Sequence, residues 1–507
     1  MMQHLPILPI VLPLFAGLLL LINRDGATRP RRTISLISTS LLVVVAIALV
    51  IQVSDDEIRY YALGDWQPPF GIILVLDRLS AMMVLLTSVL ALGSVIYACA
   101  GEDEKGTNYH GLFQLQLMGI NGAFLTGDLF NLFVFFEVLL IASYALLMHG
   151  GGKTRIHASF HYVALNLANS ALFLLAIGTL YGATGTLNMA DMALRIGNLE
   201  PEQMELVKVG AMLLLVVFGL KAAMLPLYFW LPRAYAAAPA PVAALFAVMS
   251  KIGIYAILRV YTLIFGAHAG PLHNLAQPWV WWLGLATLIL GTVGVLAARD
   301  LRAQVAYLII LSVGTLLAGI GMNSLAAQSA LLYYLPHTTL LTGGLFLLAD
   351  SIAMQRGQAG ARIVRARGVK EPVPLGLFFF IGAMGITGMP PLSGAIGKTL
   401  LLQAASGPTQ QALLWGVLLV SGLIAIVAMS RAGSTMFWRA TPRDETAVTN
   451  LGPWRGIAIG LLIGASPIMA LLAGPVTEYT RATAEQLANH DAYIRAIIAP
   501  KTTGEAP

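Results

Sequence analysis

Five side chains in this sequence are placed to move protons: Glu137, Lys221, Lys251, His337 and Lys398. Each lies within an apolar run long enough to enter a bilayer. A charged residue at the centre of a membrane helix costs about 2.5–3.5 kcal/mol on insertion scales, so it normally lines a polar path or holds a partner. Glu137 falls in the middle of LFNLFVFFEVLLIASYALLM. It acts there either as a protonated acid that joins helices or as a carboxylate paired with a lysine, with Lys221 the leading partner. A nearby anion favours a charged lysine and desolvation favours a neutral one. The balance decides whether such a lysine exchanges protons. Lys251 follows Ser250 near the expected middle of a helix, and His337 follows Pro336. Histidine titrates near neutrality and passes a proton through either ring nitrogen; the alternative for His337 is packing. Lys398 either faces the path or reaches the outer half of the membrane.

Other chemistries have little support. The nine histidines are scattered without metal-ligand spacing. No Gly-rich phosphate loop, dinucleotide fingerprint or haem motif is found. No cofactor and no bound metal are expected, and the one cysteine, Cys99, excludes an internal disulfide.

The elements that must position these residues are membrane helices. The 507 residues are 58% hydrophobic and 11% charged, against about 25% charged in soluble proteins. The fold class expected is an all-α polytopic membrane protein. Its net charge of +6 reads as basic cytoplasmic loops, not as a nucleic-acid surface. The stretch Val207 to Tyr261 organises the chain: two apolar runs carry Lys221 and Lys251 and flank a Pro-rich corner. Pro226 and Pro232 have no N–H, so the carbonyls of Ala222 and Tyr228 lose their helical partners. A charge beside a broken helix at membrane depth is the pattern of an ion-handling site.

In order, the chain gives about fourteen spans by the roughly 20-residue rule. The first, Leu5 to Ile22, has its basic residues after it (Arg24, Arg29, Arg31, Arg32), which predicts an uncleaved helix with its N-terminus outside. An outer loop carries a strand-like piece, IRYYAL. The loop GEDEKGTNYH is acidic although cytoplasmic by count. The sixth span is expected over Phe160 to Tyr181, the eleventh over Ala326 to Ala349, and the twelfth over Pro374 to Ala405 with Pro390 and Pro391 inside it. The loop from Ser351 to Glu371, with Arg356, Arg362, Arg365, Arg367 and Lys370, is the most basic and is placed in the cytoplasm. Arg439 and Arg443 follow the thirteenth span. The tail from Thr477 to Pro507 is polar, with a surface helix near Ala484 to Ile498. Asp77, Arg78, Asp128, Arg233, Arg259, Asp350 and Arg431 stand near helix ends as anchors.

Lys398 in PPLSGAIGK echoes Lys221 beside its prolines, in the twelfth and seventh helices. Five helices apart means opposite directions through the membrane, so the chain reads as two inverted five-helix repeats. The organisation expected is 1–110 (helices one to three), 111–265 (first repeat), 277–438 (second repeat) and 439–507 (helix fourteen and tail). One mismatch stands: Lys221 precedes its prolines and Lys398 follows its own.

FNLFVFFEVLLIASYALL, FGLKAAMLPLYFWLPRAYAAAPAPVAALFAVMSKIGIYAILRV and GMPPLSGAIGK resemble the antiporter-like membrane subunits of complex I. They resemble most closely the D-type subunits of Mrp-type cation/proton antiporters. The resemblance implies fourteen helices, broken seventh and twelfth helices and a charged path at the membrane midplane. By motif, the family's essential residues fall on Glu137, Lys221, Lys251, His337 and Lys398. Several relatives carry a lysine five residues after the histidine; here Thr342 stands there. The implied function is a proton-translocating subunit of a multisubunit sodium (or potassium)/proton antiporter in a bacterial inner membrane, with both termini periplasmic. Partners would be the other Mrp-type antiporter subunits, of types A, C, E, F, G and B, or an A/B fusion. The alternative is a proton-pumping subunit of a complex I or membrane hydrogenase assembly.

Overall fold

The computed structural model describes residues 2–23, 27–441 and 450–498. Arg24, Arg443 and the end of the polar tail lie outside the described residues. Twelve helices among those described are long and apolar enough to cross a membrane. Two further expected spans take other forms. Tyr109–Leu125 has 17 residues, and the twelfth span is split into Pro372–Thr387 and Ser393–Ala404. The expected strand forms, with Arg59–Ala62 pairing antiparallel to Ile73–Leu76.

Burial sorts the helices into centre and rim. The most apolar window of Ala240–Leu263 is 100% buried and that of Leu325–Ala359 is 94% buried, against 33% for Lys153–Thr184 and 28% for Pro453–Leu471. Lys251 and His337 thus sit on the most enclosed helices, where a charge has no route to lipid headgroups.

Several boundaries differ from expectation for local reasons. The sixth helix runs Lys153–Thr184, more than a turn earlier than the sequence reading. Gly150, Gly151 and Gly152 all have positive φ and end the preceding turn, and nothing after them interrupts a helix. The eighth span is two pieces, Ala240–Phe246 and Met249–Leu263. Lys251 is therefore in the first turn of the second piece and, as expected, near the middle of the whole span Ala240–Leu263. The eleventh continues through Pro336 to Arg356. Arg356, expected in a loop, is 1% exposed. Its guanidinium donates to the carbonyls of Gly360, Arg362 and Val364, so it shapes the basic loop from the helix end, where a cation also suits the dipole.

The acidic loop keeps its place among basic neighbours. Arg32 donates two hydrogen bonds of 2.7 Å to Asp103, and His110 Nε2 lies 3.0 Å from it. Burial works to raise the Asp103 pKa, but the hydrogen bonds from Arg32 and His110 outweigh it and hold the carboxyl at about 2. Glu102 pairs with Lys105.

At the opposite face Asp77 caps the third helix through Ser80 N and is paired with Arg259 at 2.6 Å. The tail is more than a surface helix. Ala473–Ala488 and His490–Ile498 cover this pair: Tyr479 Oη donates to the Arg78 carbonyl at 2.8 Å, and the Tyr493 ring lies 5.5 Å from the Arg259 guanidinium.

Candidate proton-relay site

The two broken helices share one local geometry. The helix Pro201–Ala222 stops at Ala223, which is left-handed (φ 62°), and Pro372–Thr387 stops at Gly388 (φ 85°). After each stop the chain folds back the same way: Met224 N donates to the Gly219 carbonyl and Met389 N to the Met384 carbonyl. A proline with a cis bond follows two residues on, Pro226 in one case and Pro391 in the other. The exposed helix end is satisfied in both. Trp230 Nε1 donates to the Leu220 carbonyl at 3.0 Å, and Lys398 Nζ donates to the Thr387 carbonyl at 2.6 Å.

That last bond accounts for the mismatch in lysine position. Lys221 occupies the last turn of its half-helix. Lys398, from beyond its break, reaches back to the last residue of the matching half-helix. Both lysines are therefore associated with the carbonyl end of a broken helix, where the dipole favours a cation: Lys221 by its place in the last turn and Lys398 by its ammonium. Gly388 also leaves room for this reach, because a Cβ there would lie 2.6 Å from Lys398 Cδ.

Glu137 and Lys221 are within electrostatic reach of one another but do not form a direct ion pair. Lys221 Nζ donates to Asn166 Oδ1 at 2.8 Å. Ser170 Oγ donates to Glu137 and also to the Asn166 carbonyl, the latter at 2.9 Å. Asn166 and Ser170 lie four residues apart on Lys153–Thr184, so one helix face holds both members of the expected pair. The sequence reading missed these two residues. The available signal was NLANS, polar side chains at helical spacing within an apolar run.

Among the described residues the other three have no carboxylate partner. Lys251, fully buried, donates to Ser312 Oγ at 3.1 Å. His337 Nδ1 lies 2.7 Å from Ser393 Oγ, which in turn meets Ser466 Oγ at 3.0 Å. Gly394 gives the imidazole its room, since a Cβ there would lie 2.8 Å from His337 Nε2. Lys398 is close enough to act on His337 through its charge. Thr342 bonds back to the Thr338 carbonyl of its own helix at 2.7 Å. The five residues thus include two electrostatically linked pairs, Glu137 with Lys221 and His337 with Lys398, and Lys251 held on Ser312.

Of the anchors, Asp128 caps a helix through Asn131 N, Asp350 accepts from Tyr97, and Arg431 donates to Leu296 and Ala298 carbonyls. Cys99, Asp103 and His110 place ligand atoms within 4.8 Å of one another. Their chemistry does not suit a metal. Arg32 engages both Asp103 oxygens, and burial, helped by the Asp103 charge, pushes the Cys99 thiol up to about 12.

Residues 126–426 match the family described as NADH:quinone oxidoreductase/Mrp antiporter, transmembrane. The chain is 42% identical to the D subunit of a probable K(+)/H(+) antiporter of Rhizobium meliloti (strain 1021), over 96% of each chain. It is 38% identical to the D subunit of the Na(+)/H(+) antiporter of Bacillus subtilis (strain 168), over 98% of this chain and all of that one. Among solved structures, a chain of the Mrp complex from Dietzia sp. DQ12-45-1b superposes with a TM-score of 0.86 at 26% identity, covering 98% of this chain and 99% of that chain. A chain of respiratory complex I from Thermus thermophilus shares the fold, with a TM-score of 0.77 at 24% identity, covering 96% of this chain and all of that one.

Proposed function

The chain belongs to the NADH:quinone oxidoreductase/Mrp antiporter transmembrane family, and from this premise we propose that it is the proton-translocating subunit of a multisubunit sodium (or potassium)/proton antiporter. It uses a proton gradient for cation efflux and is a secondary transporter subunit, not an enzyme. It works in a bacterial inner membrane beside antiporter subunits of types A, C, E, F, G and B, or an A/B fusion, with both termini periplasmic. Residues 111–265 and 277–438 are its two inverted repeats.

One observation carries the mechanism: Lys221 and Glu137 are held on neighbouring positions of a single helix, Asn166 and Ser170, without touching. In that arrangement a small side-chain movement brings the ammonium to the carboxylate or returns it to the amide. The switch couples arrival of a proton at Glu137 to release from Lys221. Lys251, His337 and Lys398 extend the path along the membrane.

The test is cation-driven proton flux in everted vesicles containing the whole complex, with assembly measured in parallel. Glu137→Gln and Lys221→Ala should each stop exchange and leave assembly intact, because a neutral residue is cheaper in the membrane than a charged one. Full activity of both variants in an assembled complex would remove the switch and leave these residues as helix glue. The fold shared with a complex I chain keeps one rival, a proton-pumping subunit of a redox complex. Quinone-linked proton pumping without a cation requirement would favour it.

A further inference from the structure

A group of buried hydroxyls lies between Lys251 and His337, and the charged residues do not account for it. Lys251 donates to Ser312 Oγ, and Ser312 and Thr315 stand one turn apart on Leu301–Gly321, a spacing that puts them on one face. Across from them is Tyr334, fully buried on Leu325–Arg356. Its hydroxyl faces those of Thr315 and Thr338, yet it makes no hydrogen bond of good geometry. Thr338 Oγ1 and His337 Nε2 are likewise buried without a protein partner. The Tyr334 and His337 ring centres are 5.8 Å apart. Positions 334, 337 and 338 share a helix face, so the two unpaired hydroxyls lie beside the His337 ring, whose Nε2 also faces the Gly385 carbonyl.

Buried polar atoms are nearly always paired, and each left unpaired is destabilising. A packing role would be met at lower cost by phenylalanine and valine. A hydroxyl also both donates and accepts, which suits it to pass protons.

We propose that Ser312, Thr315, Tyr334 and Thr338 form a hydroxyl relay that carries a proton between Lys251 and His337 Nε2, with Tyr334 at its centre. The relay rests on the proton-translocation reading above. Each hydroxyl takes a proton on a lone pair and releases its own to the next, and a bridging water completes any step beyond hydrogen-bond reach. After one passage the Lys251 ammonium is a neutral amine and the His337 imidazole is an imidazolium. Every hydroxyl is restored with a different hydrogen, and no charge remains on Tyr334. The relay joins the Glu137/Lys221 group to the His337/Lys398 group without an acidic residue between them.

The experiment uses the assembled complex in everted vesicles. Tyr334→Phe removes a hydroxyl and keeps the ring; Thr338→Val removes a hydroxyl and keeps the shape; Thr338→Ser keeps the hydroxyl. Tyr334→Phe and Thr338→Val should slow exchange by about a hundredfold, the lower end of what a positioned proton-transfer group contributes, with Thr338→Ser close to wild type. If Tyr334→Phe fails to assemble, the Thr338 pair decides. Wild-type rates in Tyr334→Phe and Thr338→Val, in a complex that Glu137→Gln inactivates, overturn the relay and leave the functional reading standing. Equal losses in Thr338→Val and Thr338→Ser mean packing and overturn it too. Wild-type vesicles with no cation-driven exchange sink the functional reading and the relay together.

Discussion

Lys221 Nζ is hydrogen-bonded to Asn166 Oδ1 at 2.8 Å, so the partner that holds this buried ammonium is a neutral amide on the sixth helix. The amide is itself fixed, since Asn166 Nδ2 donates to the Tyr162 carbonyl at 2.8 Å. The lysine is therefore held by a group that does not compete for its proton.

Asn166→Leu removes that acceptor and leaves a buried ammonium unpaired, which costs more than the about 1–3 kcal/mol of a neutral group. Exchange should be lost. Ser170→Ala removes one donor from Glu137 and should reduce exchange only partly. Vesicle flux normalised to assembled complex measures both. Undiminished exchange in Asn166→Leu would show that the bridge through the sixth helix is dispensable.

The two helix breaks make opposite predictions for one small change. Ala223 is left-handed and not glycine, a placement costing about 1–2 kcal/mol, so Ala223→Gly should raise the thermal midpoint of the detergent-purified complex or leave it unchanged. Gly388→Ala should lower it, because the new Cβ adds strain at φ 85° and meets Lys398. A fall in midpoint for Ala223→Gly would contradict this account of the breaks.

The Asp103 clamp predicts a pH dependence. Its folded-state pKa of about 2 lies below the unfolded value of about 3.9. The stability it gives is therefore fully present above pH 4 and is lost as pH falls through about 2. Arg32→Gln should flatten that part of a stability–pH curve and destabilise the protein at neutral pH. Asp103→Asn added to Arg32→Gln should recover part of the loss, since no unpaired charge then remains. Thermal melts from pH 2 to pH 7 read both effects, and a double variant no better than Arg32→Gln would count against the clamp.

Arg362 is exposed within the basic loop, so Arg362→Cys in a Cys99→Ser background reports orientation. An impermeant maleimide should label it in everted vesicles and not in intact cells. Labelling from the outside of intact cells would invert the topology.

Much of the fold was legible in sequence because membrane helices obey local rules. The length of an apolar run sets a span, proline sets a break, and basic residues mark a loop. These placed the helices and the two broken spans. The strand-like piece IRYYAL forms a strand over Arg59–Ala62, before the turn that follows it. Boundaries slipped where the signal was weak: Lys153 to His157 is polar yet helical, and Arg356 caps a helix from within. The partners of the charges belonged to another level. Asn166 is 55 residues from Lys221, and Ser393 is 56 residues from His337, and no local pattern encodes such meetings. Sequence order even suggested that Lys221 and Lys398 differ, since they flank their prolines on opposite sides. Only the tertiary fold shows that Lys398 returns to the carbonyl terminus of its broken helix while Lys221, in the last turn of its own, places its ammonium on Asn166, because a side chain's position in space is set by how the chain turns back, and not by its distance along the chain from a proline.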